Sequence, residues 1–227
     1  MPVGLFDLDG TLTNPGEGIT RSVQYALRQL GLEADDLEAL LPYIGPPLRD
    51  SFVATSGVEE AMVQQAVLAY REYFVTKGIF ENVPYTGVAE MLQQLVDDGW
   101  RLAVATSKPR VFAERILETF ALRGFFEVVA GAELDGTRER KAEVISYAFG
   151  CLQRVPDGEC VMVGDRDHDV AGAKAVGIHT IGVTWGYGSV HELRSAGAEL
   201  LIHHVPDPPE ALTALALVGQ GRRQAHA

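Results

Sequence analysis

Short apolar segments alternate with amphipathic segments along most of this chain. The apolar segments are Val3–Phe6, Leu102–Ala105, Val128–Ala130, Cys160–Val163 and Thr180–Val183. Between the later ones, helical periodicity covers residues 87–98, 110–120, 140–149 and 169–175. Short apolar runs separated by helices are typical of strands in a parallel sheet that is buried on both faces. The pattern therefore predicts an α/β fold, with helices on both faces of a parallel sheet.

The first apolar segment breaks this alternation. It is followed by helical patterns with no convincing strand between them, at Gly18–Leu30, Asp35–Leu41, Pro47–Ala54 and Val58–Gly78. Pro15-Gly16 at one end, and Asn82 with Pro84 at the other, suit the ends of an insertion because these residues favour turns. We therefore expect an α/β core of residues 1–13 and 82–218, a helical insertion of residues 14–81, and a flexible tail of residues 219–227.

The composition limits the partners of this chain. A formal net charge of -12 argues against non-specific nucleic-acid binding, which needs a basic surface. It does not exclude an anionic substrate, since a metal ion and a few local cations can invert the field inside a cleft. The two cysteines indicate a reducing compartment, and neither a signal peptide nor a membrane span is apparent. We therefore expect a cytoplasmic protein with a small-molecule substrate and no nucleic-acid or membrane partner; the sequence carries no indication of its oligomeric state.

Two carboxylates stand at the end of the first apolar segment, in the run Asp7-Leu8-Asp9-Gly10. Ligands of open parallel sheets bind at the carboxyl ends of the strands. If the strand continues, these two side chains point the same way, roughly 6–7 Å apart, and they repel each other unless a cation compensates. A hard divalent ion, Mg²⁺ above all, would serve. The alternative is an ordinary strand end followed by an Asp-Gly turn, and this run alone does not decide between the two.

Three further groups of polar residues follow predicted strands or begin predicted helices. Thr106 and Ser107 follow the second apolar segment, where a hydroxyl and N–H groups at a helix start would suit a phosphate. An ordinary N-cap is the alternative there. Lys141 stands at the head of a predicted helix, where a lone lysine is usually a solvated charge. Asp165 and Asp169 follow the fourth segment and add two acids at the same edge of the sheet.

The order of these groups resembles that of a known family. The run DxDGT at residues 7–11, a hydrophobic residue followed by Thr106, then Lys141, then GDxxxD at residues 164–169 resembles the haloacid dehalogenase superfamily of phosphatases. The similarity spans residues 3 to about 205, and the motifs are similar to those of its phosphoglycolate-phosphatase-like branch. The resemblance implies a Rossmann-like core with a small α-helical cap, residues 14–81, inserted after the first strand.

The resemblance implies a role for each catalytic residue. Asp7 would be the nucleophile and would form an aspartyl-phosphate, while Asp9 would protonate the leaving alkoxide and then activate the hydrolytic water. Thr106, with Ser107, would bind the phosphoryl oxygens, and Lys141 would neutralise charge on Asp7 and on the phosphate. Phosphoryl transfer depends on such positioning and charge stabilisation more than on covalent chemistry.

The resemblance also implies a Mg²⁺ cofactor. Its ligands would be Asp7, Asp9 through its backbone carbonyl, and Asp165. Asp169 would bind through water or support the other ligands. A carboxylate can attack a dianionic phosphate only if Mg²⁺ and a side-chain cation offset the repulsion between them.

Some residues near these motifs have competing interpretations. The family often follows its lysine with proline, but alanine follows Lys141, so Arg138 and Arg140 are alternatives for its role. Asp167 and His168 occupy variable positions inside GDxxxD, and we expect them to be loop residues without a catalytic role.

The resemblance favours 2-phosphoglycolate as the substrate. The turn-rich run Tyr43–Arg49 suits a substrate-facing loop, and Arg49 would bind the carboxylate through two parallel hydrogen bonds. An exposed helix residue is the alternative for Arg49. A nucleoside monophosphate phosphatase and a phosphosugar mutase or phosphatase of the same superfamily are alternatives for the function, and a phospho-accepting receiver domain is a distant one. The run Gly186–Ser189 follows a strand end and has no assigned role.

Overall fold

Six parallel strands form the central sheet of the structure, a computed structural model that describes residues 1–152, 160–205, 209–210 and 212. The strands are β1 (Val3–Phe6), β2 (Thr13–Asn14), β3 (Val83–Pro84), β4 (Arg101–Pro109), β5 (Val128–Ala132), β6 (Cys160–Gly164), β7 (His179–Val183) and β8 (Leu200–Ile202). The sheet has the order β5-β4-β1-β6-β7-β8, and its neighbouring strands are all parallel. β2 and β3 form a separate antiparallel pair.

Helices connect these strands. The α-helices are α1 (Gly16–Gln29), α2 (Leu48–Ser56), α3 (Glu60–Tyr73), α4 (Val88–Asp97), α5 (Arg110–Thr119), α6 (Lys141–Cys151), α7 (Asp167–Ala175) and α8 (Val190–Ala196). Shorter helical elements are the 3₁₀ helices Glu38–Tyr43 and Arg123–Phe125 and the π-helical turn Phe74–Gly78.

Helices cover both faces of the sheet, because successive residues of a strand point to opposite faces. Leu5 of β1 is buried in a cluster with Ile145 of α6 and Ala173 of α7. Its neighbour Phe6 is buried in the other cluster, which includes Leu92 of α4 and Ile116 of α5. The predicted α/β fold, a parallel sheet with helices on both faces, is confirmed.

The chain between β2 and β3 is helical, as predicted, and α1 packs along α3 there. The helix predicted at Asp35–Leu41 is wrong in its bounds and its type, since a 3₁₀ helix over Glu38–Tyr43 takes its place. The Asp36 side chain accepts a hydrogen bond from the Glu38 N–H at 2.9 Å, which favours a turn, and Pro42 lies inside the run. The domain boundaries predicted for residues 14–81 stay a prediction.

The strand that carries Thr106 is longer than predicted. β4 continues to Pro109, with a register irregularity against β5, and α5 begins at Arg110. The prediction that Thr106 and Ser107 lie at a helix N-terminus was therefore wrong, because both lie in extended backbone. A proline disfavours helical backbone at the residue before it, so Lys108 stays extended and delays the start of the helix.

The end of the chain differs from the sequence-based expectation in two elements. α8 and β8 were not expected, and β8 adds a sixth strand at the edge of the sheet. The predicted tail, residues 219–227, lies outside the described residues. In the part of the chain that the structure describes, no helix combines the length and the apolar character needed to cross a membrane.

Candidate active site

The carboxyl ends of three neighbouring strands place the candidate residues together. β1 lies between β4 and β6, with Phe6 in register with Val104 on one side and with Val163 on the other. Asp7 follows β1, and its N–H donates to the carbonyl of Val163 at 2.9 Å. Thr106 in the second half of β4 and the loop that follows β6 therefore flank Asp7. We call this group of strand ends the active-site edge.

Lys141, the first residue of α6, reaches into the centre of the active-site edge. Its Nζ lies 2.9 Å from Asp7 Oδ1 and 2.7 Å from Asp169 Oδ1, and it donates to the carbonyl of Ala105 at 2.9 Å. The alternatives for this lysine lie elsewhere: Arg138 pairs with Glu133, and Arg140 is exposed. The structure therefore places Lys141, and neither arginine, beside Asp7.

The charges of this buried pair are mutually stabilised. Burial would lower the pKa of Lys141, but the carboxylates of Asp169 and Asp7 raise it above its ordinary value. Burial likewise opposes ionisation of Asp7, but Lys141 holds the pKa of Asp7 below its ordinary value. Asp7 is thus an ionised carboxylate with an oxygen able to attack an electrophile.

Asp9 has a different environment and a different cationic partner. Its Oδ2 lies 2.6 Å from Nζ of Lys108, and its Oδ1 is buried without a hydrogen-bond partner. Burial raises the pKa of Asp9, and the charge of Lys108 offsets this only in part. The pKa values of these two carboxyl groups, two residues apart, are therefore shifted in opposite directions. Such a pair is common where one group must be a nucleophile and the other a proton donor.

The sequence-based prediction missed Lys108. It stands two residues after Thr106, so the two side chains lie on the same side of β4, and its N–H donates to Thr106 Oγ1 at 3.2 Å. Because a helix was predicted to start at Thr106, the sequence did not indicate that Thr106 and Lys108 lie on the same side of one strand. Continuing the strand to Pro109 would have brought Lys108 to the active-site edge.

Asp165 lies just after β6 and Asp169 lies in the first turn of α7, and the two have different partners. Asp167 and His168, which we expected to be loop residues, also lie in this first turn. Asp169 contacts Lys141 and accepts a hydrogen bond from the Arg166 N–H at 3.0 Å. Asp165 is fully buried and accepts a hydrogen bond from the Tyr187 N–H at 2.7 Å, but among the described residues no lysine or arginine forms an ion pair with it. Burial and the charges of Asp169 and Asp7 raise the pKa of Asp165 to about 7.

A divalent cation fits this excess of negative charge. Four buried carboxylates share the active-site edge with two buried lysines: Asp7, Asp9, Asp165 and Asp169, with Lys108 and Lys141. One divalent ion would balance these charges, and the oxygen donors suit Mg²⁺. Ligand atoms of Asp7, His168 and Asp169 also lie within 4.8 Å of one another, but Lys141 already contacts both of those acids. Asp165, which lacks a cation, is the better ligand.

The loop after β7 covers Asp165, a contact that the sequence did not indicate. Besides the Tyr187 N–H, a Cβ on Gly186 or Gly188 would overlap Asp165, so only glycine allows the loop to lie this close. The Tyr187 hydroxyl donates to Asn14 Oδ1 at 2.5 Å, and Trp185 Nε1 donates to the carbonyl of Thr11 at 3.1 Å. This loop therefore joins Asp165 to the segment that follows β1.

Residues inside GDxxxD contact the predicted substrate-facing loop. The Arg166 guanidinium donates to the carbonyl of Ile44 and to Glu192 Oε1, the latter at 2.8 Å. Gly45 lies close enough to Arg166 and His168 that a Cβ there would come within 3.1 Å of both. Asp167 is exposed. The run around Gly45 thus lies directly against the loop that carries Asp165.

A cavity lies between the active-site edge and the helices between β2 and β3. Its walls include Asp9, Ser107 and Lys108 from the sheet side and Tyr43, Arg49, Tyr70, Arg71 and Phe74 from the helical side. Arg49 is partly exposed and donates to Gln64 Oε1 at 2.8 Å. The structure therefore brings Arg49 and Ser107 to one cavity beside Asp9.

The family of this chain follows from a match to most of its length. A sequence profile described as haloacid dehalogenase-like hydrolase matches residues 4–183. The chain belongs to this family. The match spans every motif of the active-site edge, from the DxDGT run to GDxxxD, and the predicted resemblance to phosphatases of the haloacid dehalogenase superfamily is confirmed.

Individual members of the haloacid dehalogenase-like hydrolases are similar over nearly the whole chain. A protein named 5'-nucleotidase from Pseudomonas aeruginosa PAO1 is 49% identical over 191 residues, which cover 84% of this chain and 86% of the relative. A phosphoglycolate phosphatase from Colwellia psychrerythraea is 28% identical over 203 residues, covering 86% and 89%. The crystal structure of a predicted phosphatase from Clostridium acetobutylicum has a TM-score of 0.91 at 42% identity, covering 94% of this chain and 99% of that one. The similarity thus includes the helical region.

Proposed function

We propose that this phosphatase is a Mg²⁺-dependent phosphomonoester hydrolase that forms an aspartyl-phosphate on Asp7 and acts on 2-phosphoglycolate. The observation that carries the proposal is that the pKa values of two neighbouring acids are shifted in opposite directions. Asp7 is held ionised by Lys141, while burial favours the protonated form of Asp9 despite Lys108. A nucleophilic carboxylate beside a proton-holding carboxyl is the pair that displacement of an alkoxide from phosphate requires.

In the first step, a carboxylate oxygen of Asp7 attacks the phosphorus. The bond from phosphorus to the leaving oxygen breaks, and that oxygen takes the proton of Asp9. Lys141 and Thr106 lie at the active-site edge, where a cation and a hydroxyl donor would stabilise the phosphoryl oxygens. A Mg²⁺ ion held by Asp165 would supply the positive charge that lowers the repulsion between the carboxylate and the phosphate.

In the second step, water hydrolyses the aspartyl-phosphate. The water oxygen attacks the phosphorus, Asp9 accepts a proton from that water, and the bond between Asp7 and phosphorus breaks. Inorganic phosphate leaves, and both aspartates return to their starting protonation states. The same carboxyl thus serves as acid in the first step and as base in the second, since giving up its proton leaves the carboxylate that the water requires.

The size of the cavity and the arginines in its lining support a small anionic substrate. Its volume is about 90 Å³, well below the roughly 300–1,000 Å³ typical of pockets for drug-sized ligands. Arg49 supplies a guanidinium for a carboxylate at the end opposite the phosphate. The Colwellia relative named phosphoglycolate phosphatase adds support from sequence similarity.

A nucleoside monophosphate is the second candidate substrate. The Pseudomonas relative named 5'-nucleotidase favours it. The aromatic side chains of Tyr43, Tyr70, Phe74 and Phe112 line the cavity and offer faces for a base. A larger opening between the helices and the active-site edge would then be needed to admit the nucleoside.

The test is a comparison of kcat/KM across substrates in the presence of Mg²⁺. The panel holds 2-phosphoglycolate, nucleoside 5'-monophosphates, glucose 1-phosphate and p-nitrophenyl phosphate, with Asp7→Asn as the control for contaminating activity. We expect 2-phosphoglycolate to have the highest kcat/KM. A preference for nucleoside monophosphates would replace the substrate but keep the chemistry, and no turnover of any phosphomonoester would reject the proposed function.

A further inference from the structure

Two arginines on the helical side of the cavity differ from the other cations around it. Arg49 on α2 donates to Gln64 Oε1 at 2.8 Å, and Arg71 on α3 donates to the carbonyl of Leu134 at 3.0 Å. Both partners are neutral oxygens. Among the described residues, no carboxylate forms an ion pair with Arg49 or Arg71.

Four other cations near the cavity contact carboxylates. Lys108 contacts Asp9 at 2.6 Å, and Arg138 pairs with Glu133. Arg110 lies 3.9 Å from Glu133, and Arg166 lies 2.8 Å from Glu192. A carboxylate is thus the usual partner of a cation in this region, which makes the pair of arginines an exception.

Arg71 lines the cavity together with a second arginine, Arg49, and with Glu139. Burial lowers the pKa of Arg71, and the nearby charge of Arg49 adds to this effect, while Glu139 opposes it without forming an ion pair. The two like charges repel each other; Glu139 relieves part of that repulsion, and an anionic substrate group bound by both guanidinium groups would relieve more of it. A guanidinium suits this task because it binds carboxylate or phosphate through two parallel hydrogen bonds.

We propose that Arg71 acts with Arg49 as a subsite for a second anionic group of the substrate, separate from the phosphate that Asp7 attacks. This inference rests on the proposed function, and it names the substrate class as small phosphomonoesters that carry a carboxylate or a second phosphate. Arg71 is a specificity-determining residue in this arrangement. Because it also donates to Leu134 of the core, its guanidinium is fixed between α3 and the loop after β5.

The chain offers a matched control for the structural role of Arg71. Arg115 of α5 donates to the carbonyl of Val75 at 3.3 Å, so it also ties the helical region to the core. It lies over the ring of Phe80 and does not line the cavity. Arg115→Ala therefore removes an arginine–carbonyl tie without changing the charge of the cavity.

The experiment compares matched substrates in Arg71→Ala, Arg71→Lys, Arg49→Ala and Arg115→Ala. The substrates are 2-phosphoglycolate, ethane-1,2-diyl bisphosphate and ethyl phosphate, which lacks a second anion. We expect Arg71→Ala to raise KM for the two doubly anionic substrates by about 10- to 100-fold, the equivalent of a lost charge-assisted hydrogen bond, and to leave ethyl phosphate within about twofold. The two doubly anionic substrates distinguish a carboxylate from a phosphate at the subsite. Arg71→Lys should fall between wild type and alanine, and Arg115→Ala should match wild type on all three.

Two kinetic outcomes and one binding outcome would overturn the subsite. The first is an equal loss on ethyl phosphate in Arg71→Ala, which would mean that Arg71 acts only as a tie to Leu134. The second is a wild-type enzyme that hydrolyses ethyl phosphate as well as the doubly anionic substrates; the phosphatase proposal would survive that result. A binding experiment tests the subsite without turnover. Titration calorimetry compares the affinities of 2-phosphoglycolate and of ethyl phosphate for Asp7→Asn with those for the double variant that also carries Arg71→Ala. Unchanged affinity for 2-phosphoglycolate in the double variant would also reject the subsite.

Discussion

At the active-site edge two lysines contact carboxylates, whereas on the helical side of the neighbouring cavity the hydrogen bonds of two arginines go to neutral oxygens. Lys141 is almost fully buried between Asp7 and Asp169, and Lys108 is buried against Asp9. Arg49 is partly exposed and has Gln64 as its partner. Buried ion pairs of the first kind fix geometry, because losing one partner leaves an unpaired charge in a dry site.

The comparison separates two tasks, one at the active-site edge and one in the cavity beside it. A reaction at phosphorus needs groups held within fractions of an ångström, and buried ion pairs on strand ends provide that precision. Recognition of the rest of a substrate needs groups with spare hydrogen-bonding capacity, and partly exposed arginines provide it. Substitutions on the sheet side should therefore lower kcat/KM for every substrate. Substitutions on the helical side should lower it only for some substrates.

The largest expected effect is that of Asp7→Asn. An amide cannot form the acyl-phosphate, so kcat should fall by about 10⁴-fold or more for every substrate, as for other nucleophile losses. Circular dichroism should show an unchanged fold, because the asparagine can keep a hydrogen bond from Lys141. Near-normal turnover by this variant would mean that Asp7 is not the nucleophile. The chemical role assigned to the sheet side would then be wrong.

Asp9→Asn should have the next largest effect, and it should depend on the leaving group. Loss of a general acid typically costs about 10²- to 10⁴-fold, which we expect for an alkyl phosphate such as 2-phosphoglycolate. An aryl phosphate, whose leaving oxygen needs less protonation, should lose less in the first step. The ratio of the two kcat/KM values measures this difference. Equal losses on both substrates would contradict the proton-donor role.

Removal of the metal should stop turnover and should change stability in a specific way. We expect activity to disappear in excess chelator, and Asp165→Asn to weaken Mg²⁺ binding by about 100-fold, comparable to the loss of other groups that hold a metal. In metal-free protein the same variant should melt about 2–4 °C higher, the shift that ~1 kcal/mol gives at this size, because a buried negative charge beside Asp169 and Asp7 is removed.

The exposed Asp167 provides the control for this metal experiment. Asp167→Asn changes a nearby acid that is the first residue of α7 and is exposed to solvent. It should leave Mg²⁺ affinity and melting temperature near those of wild type. Full activity of the wild-type enzyme in excess chelator, or a lower melting temperature for metal-free Asp165→Asn, would contradict the placement of the ion.

Most of the sheet and the acids at its edge could be predicted from the sequence. Strands such as Cys160–Gly164 are continuous apolar runs, and a fully buried strand can be little else at that length. The edge strand Leu200–Ile202 was missed because it has three residues and exposes its first. Short edge strands depend on a neighbour for their hydrogen bonds, and that neighbour, β7, lies some twenty residues away in sequence.

The contacts of the candidate site were harder to predict than its acids. Lys108 was missed because a proline nearby suggested a helix start, when its actual effect was to keep the preceding residue extended. The Tyr187 N–H reaches Asp165 across 22 positions of sequence, and nothing local to Tyr187 indicates that acceptor. Arg71 stands in an amphipathic helix, where an arginine is usually solvated, and only the fold shows that it lines the cavity.

The smallest expected effect concerns the boundary between the two sides, at the hydrogen bond from Tyr187 to Asn14. Tyr187→Phe removes the hydroxyl but keeps the backbone N–H that binds Asp165, so kcat/KM should fall by no more than a few-fold. The free energy of unfolding should fall by about 1 kcal/mol, the usual contribution of one hydrogen bond. Asn14→Ala removes the acceptor and also the hydrogen bond from the Gly16 N–H. If the loop after β7 couples the helical region to Asp165 through this bond, the double variant should be no less stable than Asn14→Ala. Both variants should bind Mg²⁺ like wild type, because the backbone contact to Asp165 remains. Fully additive losses in chemical denaturation would mean that the two side chains act independently.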